Sequence, residues 1–423
     1  MGSRNRRIYH KLLPLEEALG VIEQHVSLKP LGVEKVKLEE GVGRVLAENV
    51  QALVDSPPFD RSLVDGYAVR AEDLYEAEED SPVLLRVVGS LAAGDAPSLA
   101  IGSGECVEVA TGAPLPMGAD AVVKLEDAMR KNRVIEVIRP VAKWENVSRR
   151  GEDLRAGFTI LRRGDRIKPW HVAALASQGI SIVRVYSPIV AVFSTGEELV
   201  ELGEKLSEGR IYCYTKWLVR AWLREAGCRV LDGGIVPDDE ELILKVFEEL
   251  LRVSDAIIAT GGTSVGERDY TVKALSRVKG LQLLVHGLAL RPGMPTAIGV
   301  AKGKLVMATS GLPVAALAAL ELVFKPLLYK MCRAGIPFIP PLKARLVRRV
   351  TVESGFLNFV RVRVYRGEGV FLAEPVRLSG SGVISSLLTA NGLLVVKGEL
   401  EGYDEGEEVE VLMYGEPESQ DLP

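Results

Sequence analysis

The residues best suited to chemistry form a glycine-rich turn within SDAIIATGGTSVGERDY, residues 254–270. An apolar run ends at Gly261 and Gly262, and Ser264 and Gly266 follow. Glycines at the carboxyl end of a strand let backbone N–H groups approach an anion, and a helix beyond them adds its positive dipole end. The turn therefore predicts phosphate binding, with an ordinary tight turn as the alternative. Its spacing is neither GxGxxG nor the P-loop pattern, so neither of those folds is indicated.

Three carboxylates follow separate predicted strands of the same region. Glu198 comes after AVFSTG, Asp238 after GGIVP, and Asp269 lies in the glycine-rich turn. Strand ends of a parallel sheet meet in one crevice, where such sheets bind ligands. Carboxylates beside phosphates suit a Mg²⁺ ion held by one or two acids and by substrate oxygens. Each acid alone is also explained by helix capping, and Asp238 or Asp239 is a candidate N-cap of the next helix.

Two loops earlier in the chain carry further polar side chains. They are PPFDRSLVDGYAVR at 57–70 and ATGAPLPMGADAVVKLED at 110–127. Rigid exposed loops are the usual place for binding groups, although an Asx-turn explains the first loop equally well. The four histidines stand in no metal or triad spacing, so we expect structural or solvated roles for them. The polar residues of the two loops are Asp60, Arg61, Asp65, Thr111 and Asp120.

The elements that must position these residues fall into four blocks. Apolar spacing predicts helices over 16–25 and 169–178, whereas short β-type runs fill 51–139. From about residue 187 strands and helices alternate, which is typical of a mostly parallel sheet with helices on both faces. After residue 340 strands return between Gly-rich turns and indicate a small β-barrel or sandwich. The sequence thus predicts an α/β plus β multidomain fold.

Composition and charge exclude several classes of protein. The 423 residues predict two to four domains, and 47% hydrophobic with 26% charged residues is ordinary for a globular chain. A net charge of −5 argues against a nucleic-acid partner. No apolar run reaches the roughly 18 residues of a membrane helix, and the N-terminus lacks a secretory signal, so we expect a cytoplasmic protein without membrane contact. Four scattered cysteines predict buried core thiols.

Taken in order, motifs across nearly the whole chain resemble the MoeA and gephyrin E-domain family of molybdopterin molybdotransferases. Besides the stretches above, they include RRGEDLRAG at 149–157, STGEEL at 194–199, RPGMP at 291–295, NFVRVRV at 358–364 and SGSGVISSLLTANGL at 379–393. The resemblance implies a homodimer with four domains per subunit. These are a discontinuous linker and dimerisation domain at 1–48 and 140–184, an inserted β domain at 49–139, a MogA-like α/β molybdopterin-binding domain at 185–331, and a C-terminal β-barrel at 332–423.

The resemblance also implies one step of molybdenum cofactor biosynthesis. With Mg²⁺, molybdate or tungstate enters adenylylated molybdopterin and AMP leaves, in a cleft between the sheet domain of one subunit and parts of the other. Other proteins of cofactor assembly are candidate partners. By motif position the implied catalytic residues are Asp65, Thr111, Asp153, Glu198, Asp238 and Asp269, and the last three are the implied metal ligands. The implied cofactor-binding residues are Ser194, Thr195, Gly196, Gly261, Gly262, Ser264, Gly266, Arg291, Pro292, Gly293, Pro295, Arg361, Ser381 and Ser385.

Several positions depart from the family's motifs. Met294 stands where the family has a lysine facing the oxyanion, and Leu312 and Ala315 replace an asparagine and a serine. A thioether cannot hydrogen-bond an oxyanion strongly, so Arg61 and Arg291 are candidate compensating cations. Two rival functions follow: an impaired paralogue that acts as a molybdopterin-binding dimeric scaffold, and a molybdopterin adenylyltransferase, against which the three additional domains argue. The other substituted positions are Cys213, Tyr214, Thr215 and Glu267.

Overall fold

The protein is described here from a computed structural model. The structure describes residues 12–25, 32–263, 270–377 and 380–419. The chain folds into a discontinuous linker unit, an inserted β unit, an α/β sheet unit and a C-terminal barrel, which confirms the predicted fold class. The exact domain boundaries given above stay a prediction.

The linker unit joins two separate segments of the chain. Strand Val33–Lys37 pairs antiparallel with Ile182–Tyr186, and Val50–Gln51 pairs with Thr159–Leu161. Helix Pro169–Ala176 begins at a proline, as the sequence predicted, because proline is preorganised for a first helical turn. The buried core of the unit contains Leu46, Leu161, Ile167, Leu175, Val183 and Val185. The other predicted helix, Leu15–Glu23, buries Ala18 and Ile22 in the core of the sheet unit instead.

The inserted unit contains a six-stranded sheet, which confirms the predicted β domain. Gly66 is required where two of its strands meet, since a Cβ there would lie 1.9 Å from the carbonyl oxygen of Val123. A further pair, Arg61–Ser62 with Val147–Ser148, connects the loop at 57–70 to the segment that leaves the unit. The strand order of the sheet is Ala121–Lys124, Gly66–Val69, Glu105–Val109, Val83–Leu91, Val134–Val137 and Ala128–Lys131.

The third unit is a six-stranded, mostly parallel sheet, as the alternating pattern predicted. Its strand order is Arg229–Val236, Ile189–Thr195, Ala256–Thr260, Lys304–Thr309, Ala297–Ala301 and Leu281–His286. Among these strands Ala297–Ala301 alone runs against the others. The central strands are buried on both faces, which explains uninterrupted apolar runs such as IVAVF.

Helices cover both faces of this sheet. Val190 and Val192 enter one core while Ala191 and Phe193 enter another, because successive side chains of a strand point to opposite faces. The carboxyl ends of the parallel strands are therefore left as the open edge. The helices are Tyr214–Glu225, Glu240–Val253, Tyr270–Arg277, Pro313–Ala319 and Lys325–Met331, with a π-helical turn at Leu320–Phe324.

The C-terminal unit is a closed five-stranded barrel, which decides between the barrel and the sandwich left open by the sequence. Its strands follow the order Leu357–Arg366, Phe371–Arg377, Leu342–Leu346, Glu408–Met413 and Gly392–Val396, and the last pairs back with the first. Leu290–Arg291 of the sheet unit pairs in parallel with the start of the first barrel strand. The Val314 backbone N–H also donates to the Ser381 carbonyl oxygen at 3.0 Å. The barrel is thus fixed beside the open edge of the sheet.

Two general predictions can be compared with the structure. All four cysteines are free and buried, which confirms the prediction of core thiols. Burial raises the pKa of the Cys106 and Cys332 thiols to about 12 in each case. Within the described ranges no helix is both long and apolar enough to cross a bilayer.

Candidate anion-binding cavity

A cavity of about 810 Å³ opens at the carboxyl edge of the parallel sheet, between the sheet unit and the barrel. Its walls include the ends of Ile189–Thr195 and Ala256–Thr260 and the turn after Lys304–Thr309. The predicted convergence of separate strand ends on one hollow is therefore found. The predicted site residues that line it are Ser194, Thr195, Gly196, Glu198, Asp238, Gly261, Gly262, Arg291, Pro292, Gly293, Pro295 and Ser381.

The two glycines that end the strand Ala256–Thr260 have backbone conformations that favour glycine. Gly261 has φ +98° and Gly262 has φ +61°. A Cβ on Gly261 would lie 2.4 Å from the Thr195 carbonyl oxygen, and one on Gly262 would lie 2.2 Å from Thr271 Oγ1. The Gly261 N–H, however, already donates to the Thr309 carbonyl oxygen at 3.0 Å. Gly261 therefore lines and shapes the cavity while its N–H is bonded within the sheet edge, and its predicted role in cofactor binding stays a prediction.

Buried hydroxyls tie the strand ends together beneath the cavity. Ser194 Oγ lies 2.5 Å from Thr260 Oγ1, and Thr195 Oγ1 lies 2.9 Å from Thr271 Oγ1. On the next strand the buried Thr309 Oγ1 has no hydrogen-bond partner among the described residues. Because each hydrogen bond joins elements distant in sequence, the bonds fix the positions of the strand ends relative to each other and to the following helix. They therefore stabilise the floor of the cavity.

Two of the three predicted metal ligands, Glu198 and Asp238, line the cavity. The third, Asp269, lies outside the described residues, and the part of the chain that is described contains no group of three His, Cys, Asp or Glu side chains able to hold a metal ion. Two carboxylates are enough in number for Mg²⁺, which binds proteins through one or two carboxylates and completes its shell with water and phosphate oxygens. The capping interpretation is confirmed for Asp239, whose side chain accepts from the Leu242 N–H at 2.9 Å.

Positive charge is scarce in the cavity wall. Of the described lining residues Arg291 is the only lysine or arginine, and its side chain is 43% exposed at the rim. Its guanidinium forms a short ion pair with Glu353 and lies 4.2 Å from the ring centre of Phe356. Both partners belong to the barrel unit, so the barrel positions the cation that the sheet unit contributes.

Six of the departures from the family's motifs lie in the cavity wall. Met294, Leu312 and Ala315 all line it, and none offers a charge or a side-chain hydrogen-bond donor. Cys213 also lines it and is 2% exposed. Burial raises the pKa of the Cys213 thiol, although a hydrogen bond with Ser194 opposes the shift. At neutral pH this wall is therefore mostly uncharged.

Helix Tyr214–Glu225 begins at the cavity and is anchored by a buried lysine. Lys216 is fully buried and its ammonium lies 2.5 Å from Glu201 and 3.1 Å from Asp232. Thr215 Oγ1 donates to the Gly311 carbonyl oxygen at 2.6 Å, across the cavity from the helix start. The start of the helix is thus held by the Thr215 hydroxyl and by the ion pairs of Lys216. The Thr215 hydroxyl hydrogen is already donated to the backbone.

Other predicted site residues lie away from this cavity. In the inserted unit, Asp65 accepts hydrogen bonds from the Thr111 N–H and hydroxyl, and these bonds lower the pKa of the Asp65 carboxyl. Asp153 is exposed in the loop where its N–H donates to the Ser56 carbonyl oxygen. In the barrel, Arg361 is 1% exposed within strand Leu357–Arg366 and does not line the cavity.

The remaining predicted positions divide into two groups. Ser385 is exposed at the start of helix Ser385–Thr389 and also lies outside the lining, so the structure does not bring it to the cavity. Ser264 and Gly266, together with Asp269 and the substituted Glu267, lie outside the described residues.

Sequence reasoning missed three residues that organise the site. Glu353 and Phe356 hold the rim cation, and Lys216 anchors a helix that faces the cavity. Apolar periodicity gives no signal for Glu353, because its partner comes from a different unit. The signal available for Lys216 was its position between hydrophobic residues on the buried face of an amphipathic helix.

The four units and the cavity between sheet and barrel define a class of protein: a multidomain α/β and β protein with a ligand cavity at the carboxyl edge of a mostly parallel sheet. Three family descriptions match in chain order. They are the MoeA N-terminal region (domains I and II) over residues 13–179, the probable molybdopterin binding domain over 191–330, and the MoeA C-terminal region (domain IV) over 343–414. The chain belongs to the MoeA family.

Individual relatives support the same assignment along the whole length. A putative molybdopterin biosynthesis protein of Methanocaldococcus jannaschii is 35% identical, over 96% of this chain and 99% of its own. A protein of Bacillus subtilis named molybdopterin molybdenumtransferase is 34% identical over 92% of each chain. The crystal structure of a molybdopterin biosynthesis MoeA protein from Pyrococcus horikoshii superposes with a TM-score of 0.83 at 38% identity, covering 96% of this chain and 100% of that one.

Proposed function

We propose that this protein is a molybdopterin molybdotransferase that inserts molybdate or tungstate into adenylylated molybdopterin, with Mg²⁺, and releases AMP. The observation that carries the proposal is a cavity of about 810 Å³ whose described lining includes two carboxylates, a glycine turn and one cation. A phosphorylated pterin and an oxyanion need that combination of a metal-binding edge and an anion-binding edge. A cytoplasmic location belongs to the same proposal.

Glu198 and Asp238 are the residues that would hold Mg²⁺, with Asp269 as the further ligand predicted from the sequence. The chemistry supplied there is neutralisation of the charge on the phosphoanhydride. In the same cavity, Arg291 attracts the oxyanion and Ser381 offers a hydroxyl from the barrel. The apolar residues of the wall limit the access of water, which strengthens each of these electrostatic contacts.

The first test measures AMP release by the purified protein with adenylylated molybdopterin, Mg²⁺ and either oxyanion. Asp238→Asn should strongly reduce Mg²⁺-dependent release because it removes one anionic ligand. Asp239→Asn is the matched control: it changes the same charge one residue away, and asparagine still caps the helix. Absence of AMP release with both oxyanions would contradict the proposed function, and an equal loss in the two variants would contradict the proposed role of Asp238.

We also propose a homodimer in which the inserted unit of one subunit completes the cavity of the other. Asp65, Thr111 and Asp153 are exposed and lie away from the cavity of their own chain, which leaves them available to a partner. Mixing Asp65→Asn with Asp238→Asn protein tests the arrangement. A shared site predicts recovery of about a quarter of wild-type activity after subunit exchange, because half of the dimers then carry one intact site. A site within one subunit predicts no recovery.

A second candidate function is a molybdopterin-binding dimeric scaffold without turnover. It is favoured by the lining residues Met294, Leu312 and Ala315, which leave the oxyanion side of the cavity with few donors. Calorimetric binding of molybdopterin without AMP release would support the scaffold. Met294→Lys separates the two cases, since it restores an ammonium to the wall: a gain of turnover identifies a weakened enzyme, and no gain favours the scaffold.

A further inference from the structure

The rim cation Arg291 is the starting point, because no other described lining residue carries positive charge. Its backbone is not free to move. Leu290–Arg291 forms a parallel pairing with Leu357 and Asn358 of the barrel, and the Leu357 N–H donates to the Ala289 carbonyl oxygen at 2.8 Å. The guanidinium therefore starts from a fixed point at the boundary between the two units.

That guanidinium already has two partners from one barrel turn. Its Nη1 atom is ion-paired with a carboxylate oxygen of Glu353, and its Cζ atom lies 4.2 Å from the Phe356 ring centre. Both charged side chains are about half exposed, at 43% and 55%. The pair is thus accessible to a solute anion and is not sealed in the protein interior.

The turn that carries Glu353 is held in place by a buried amide. Asn358 is 6% exposed, and its Nδ2 atom donates to the carbonyl oxygens of Glu353 at 3.1 Å and Phe356 at 2.8 Å. The Gly355 N–H donates to the Gly398 carbonyl oxygen at 2.7 Å. Glu353 is consequently not a loose surface acid, since its backbone is set beside Arg291 before any ligand arrives.

We propose that Glu353 is a built-in competitor for Arg291 and sets the affinity of the cavity for its oxyanion. An incoming oxyanion competes with the Glu353 carboxylate for the positive charge and the N–H donors of the guanidinium, so the interaction with Glu353 is subtracted from the free energy of anion binding. Glu353 is a positioning and affinity-determining residue in this inference, which rests on the proposed function of the cavity. Phe356 keeps the guanidinium in place during the exchange, because cation–π contact does not require a counter-anion.

Binding of molybdate and of tungstate to the full-length protein, measured by titration calorimetry at low ionic strength, tests the inference. Glu353→Gln should tighten both by about two- to fivefold, the size of an exposed ion pair. Glu353→Asp, which keeps the charge, should restore most of the wild-type affinity. In an Arg291→Gln background the gain from Glu353→Gln should disappear, because there is no longer a cation to compete for.

Glu408→Gln is the matched control for net charge. Glu408 is also an exposed barrel acid in an ion pair, with Lys343 at 3.0 Å, and it does not line the cavity. No gain in Glu353→Gln, or an equal gain in Glu408→Gln or in the Arg291→Gln background, overturns the inference, and so does the absence of oxyanion binding in every variant.

The same variants separate this inference from the proposed reaction. In the AMP assay Glu353→Gln should lower the KM for molybdate by the same factor and leave kcat unchanged, which a merely structural role would not produce. Release of AMP with unchanged oxyanion affinity in Glu353→Gln would overturn the inference alone. Tighter binding without AMP release would support the inference and count against the proposed reaction.

Discussion

Thr111 donates two hydrogen bonds to one oxygen of Asp65, from its backbone N–H at 2.7 Å and from its hydroxyl at 3.0 Å. The two residues lie in the loops that the sequence singled out, at 110–127 and 57–70. The bonds close these loops on each other and present an ionised carboxylate at the surface of the inserted unit. The pKa of Asp65 is lowered mainly by the backbone bond and secondly by the hydroxyl bond.

The first prediction concerns this carboxylate. Thr111→Val removes the hydroxyl bond and keeps the backbone bond, so the pKa of Asp65 should rise part of the way to its ordinary value, whereas Thr111→Ser should leave it low. Since the folded pKa is depressed, the stabilisation is present above the unfolded pKa and is lost as the pH falls through the folded pKa. NMR titration of the labelled aspartate carboxyl measures the shift. An unchanged pKa in Thr111→Val would show that the hydroxyl bond is unimportant.

The second prediction tests the glycine turn of the cavity. Gly261→Ala places a Cβ 2.4 Å from the Thr195 carbonyl oxygen at a φ of +98°. Both the clash and the backbone strain cost free energy, so the free energy of unfolding should fall by about 2–4 kcal/mol. Gly280→Ala is the control, because Gly280 has φ +76° with nothing within 4 Å of the added Cβ. Gly280→Ala should lower the free energy of unfolding by only about 1 kcal/mol. Thermal unfolding of both variants measures the difference, and equal losses would contradict the proposed clash at Gly261.

Much of the fold follows from local patterning, and the site follows only in part. The run Ile189–Thr195 and the acids after it indicated a parallel sheet with a ligand edge, because burial on both faces leaves a continuous apolar signature. The sequence could not tell which of Asp238 and Asp239 caps the helix and which lines the cavity. That difference depends on the backbone conformation at a single residue. No sequence pattern predicts the Arg291–Glu353 ion pair, because it depends on how the sheet unit and the barrel pack against each other.

The third prediction concerns the buried charge of Lys216. Lys216→Met removes the ammonium beside Glu201 and Asp232. Asp232 keeps its ion pair with Arg220, and both acids are about one-third exposed, so part of the loss is compensated. The free energy of unfolding should fall by about 1–3 kcal/mol in denaturant titration. Lys343→Met, which breaks an exposed pair with Glu408, should cost no more than about 0.5 kcal/mol. A Lys216→Met protein as stable as wild type would contradict this account.

The pH dependence of the same cluster gives a fourth prediction. Burial raises the pKa of Glu201, but hydrogen bonds from Lys216, Trp217 and the Leu202 N–H outweigh it and leave the pKa lowered. The stabilisation from Glu201 is therefore present above its unfolded pKa and is lost as the pH falls through its folded pKa. Lys216→Met removes the strongest lowering contact, so the part of the stability that Glu201 loses in acid should shrink, and the free energy of unfolding should fall less between neutral and acid pH than in wild type. Denaturant titrations across the acid range measure this difference, and an equal fall of the free energy of unfolding in the two proteins would contradict it.

The fifth prediction separates the turn that carries Glu353 from the general stability of the barrel. Asn358 and Asn391 are both buried barrel amides, and Asn391 bonds to the Val364 N–H at 2.7 Å and to its carbonyl oxygen at 2.8 Å. Asn358→Ala and Asn391→Ala should each lower the free energy of unfolding by about 1–3 kcal/mol, because each removes at least two hydrogen bonds between a buried amide and the backbone. Asn358→Ala alone should also tighten molybdate binding, since it releases the backbone that holds Glu353 beside Arg291. Equal effects of the two variants on molybdate affinity would mean that the turn is a structural support only.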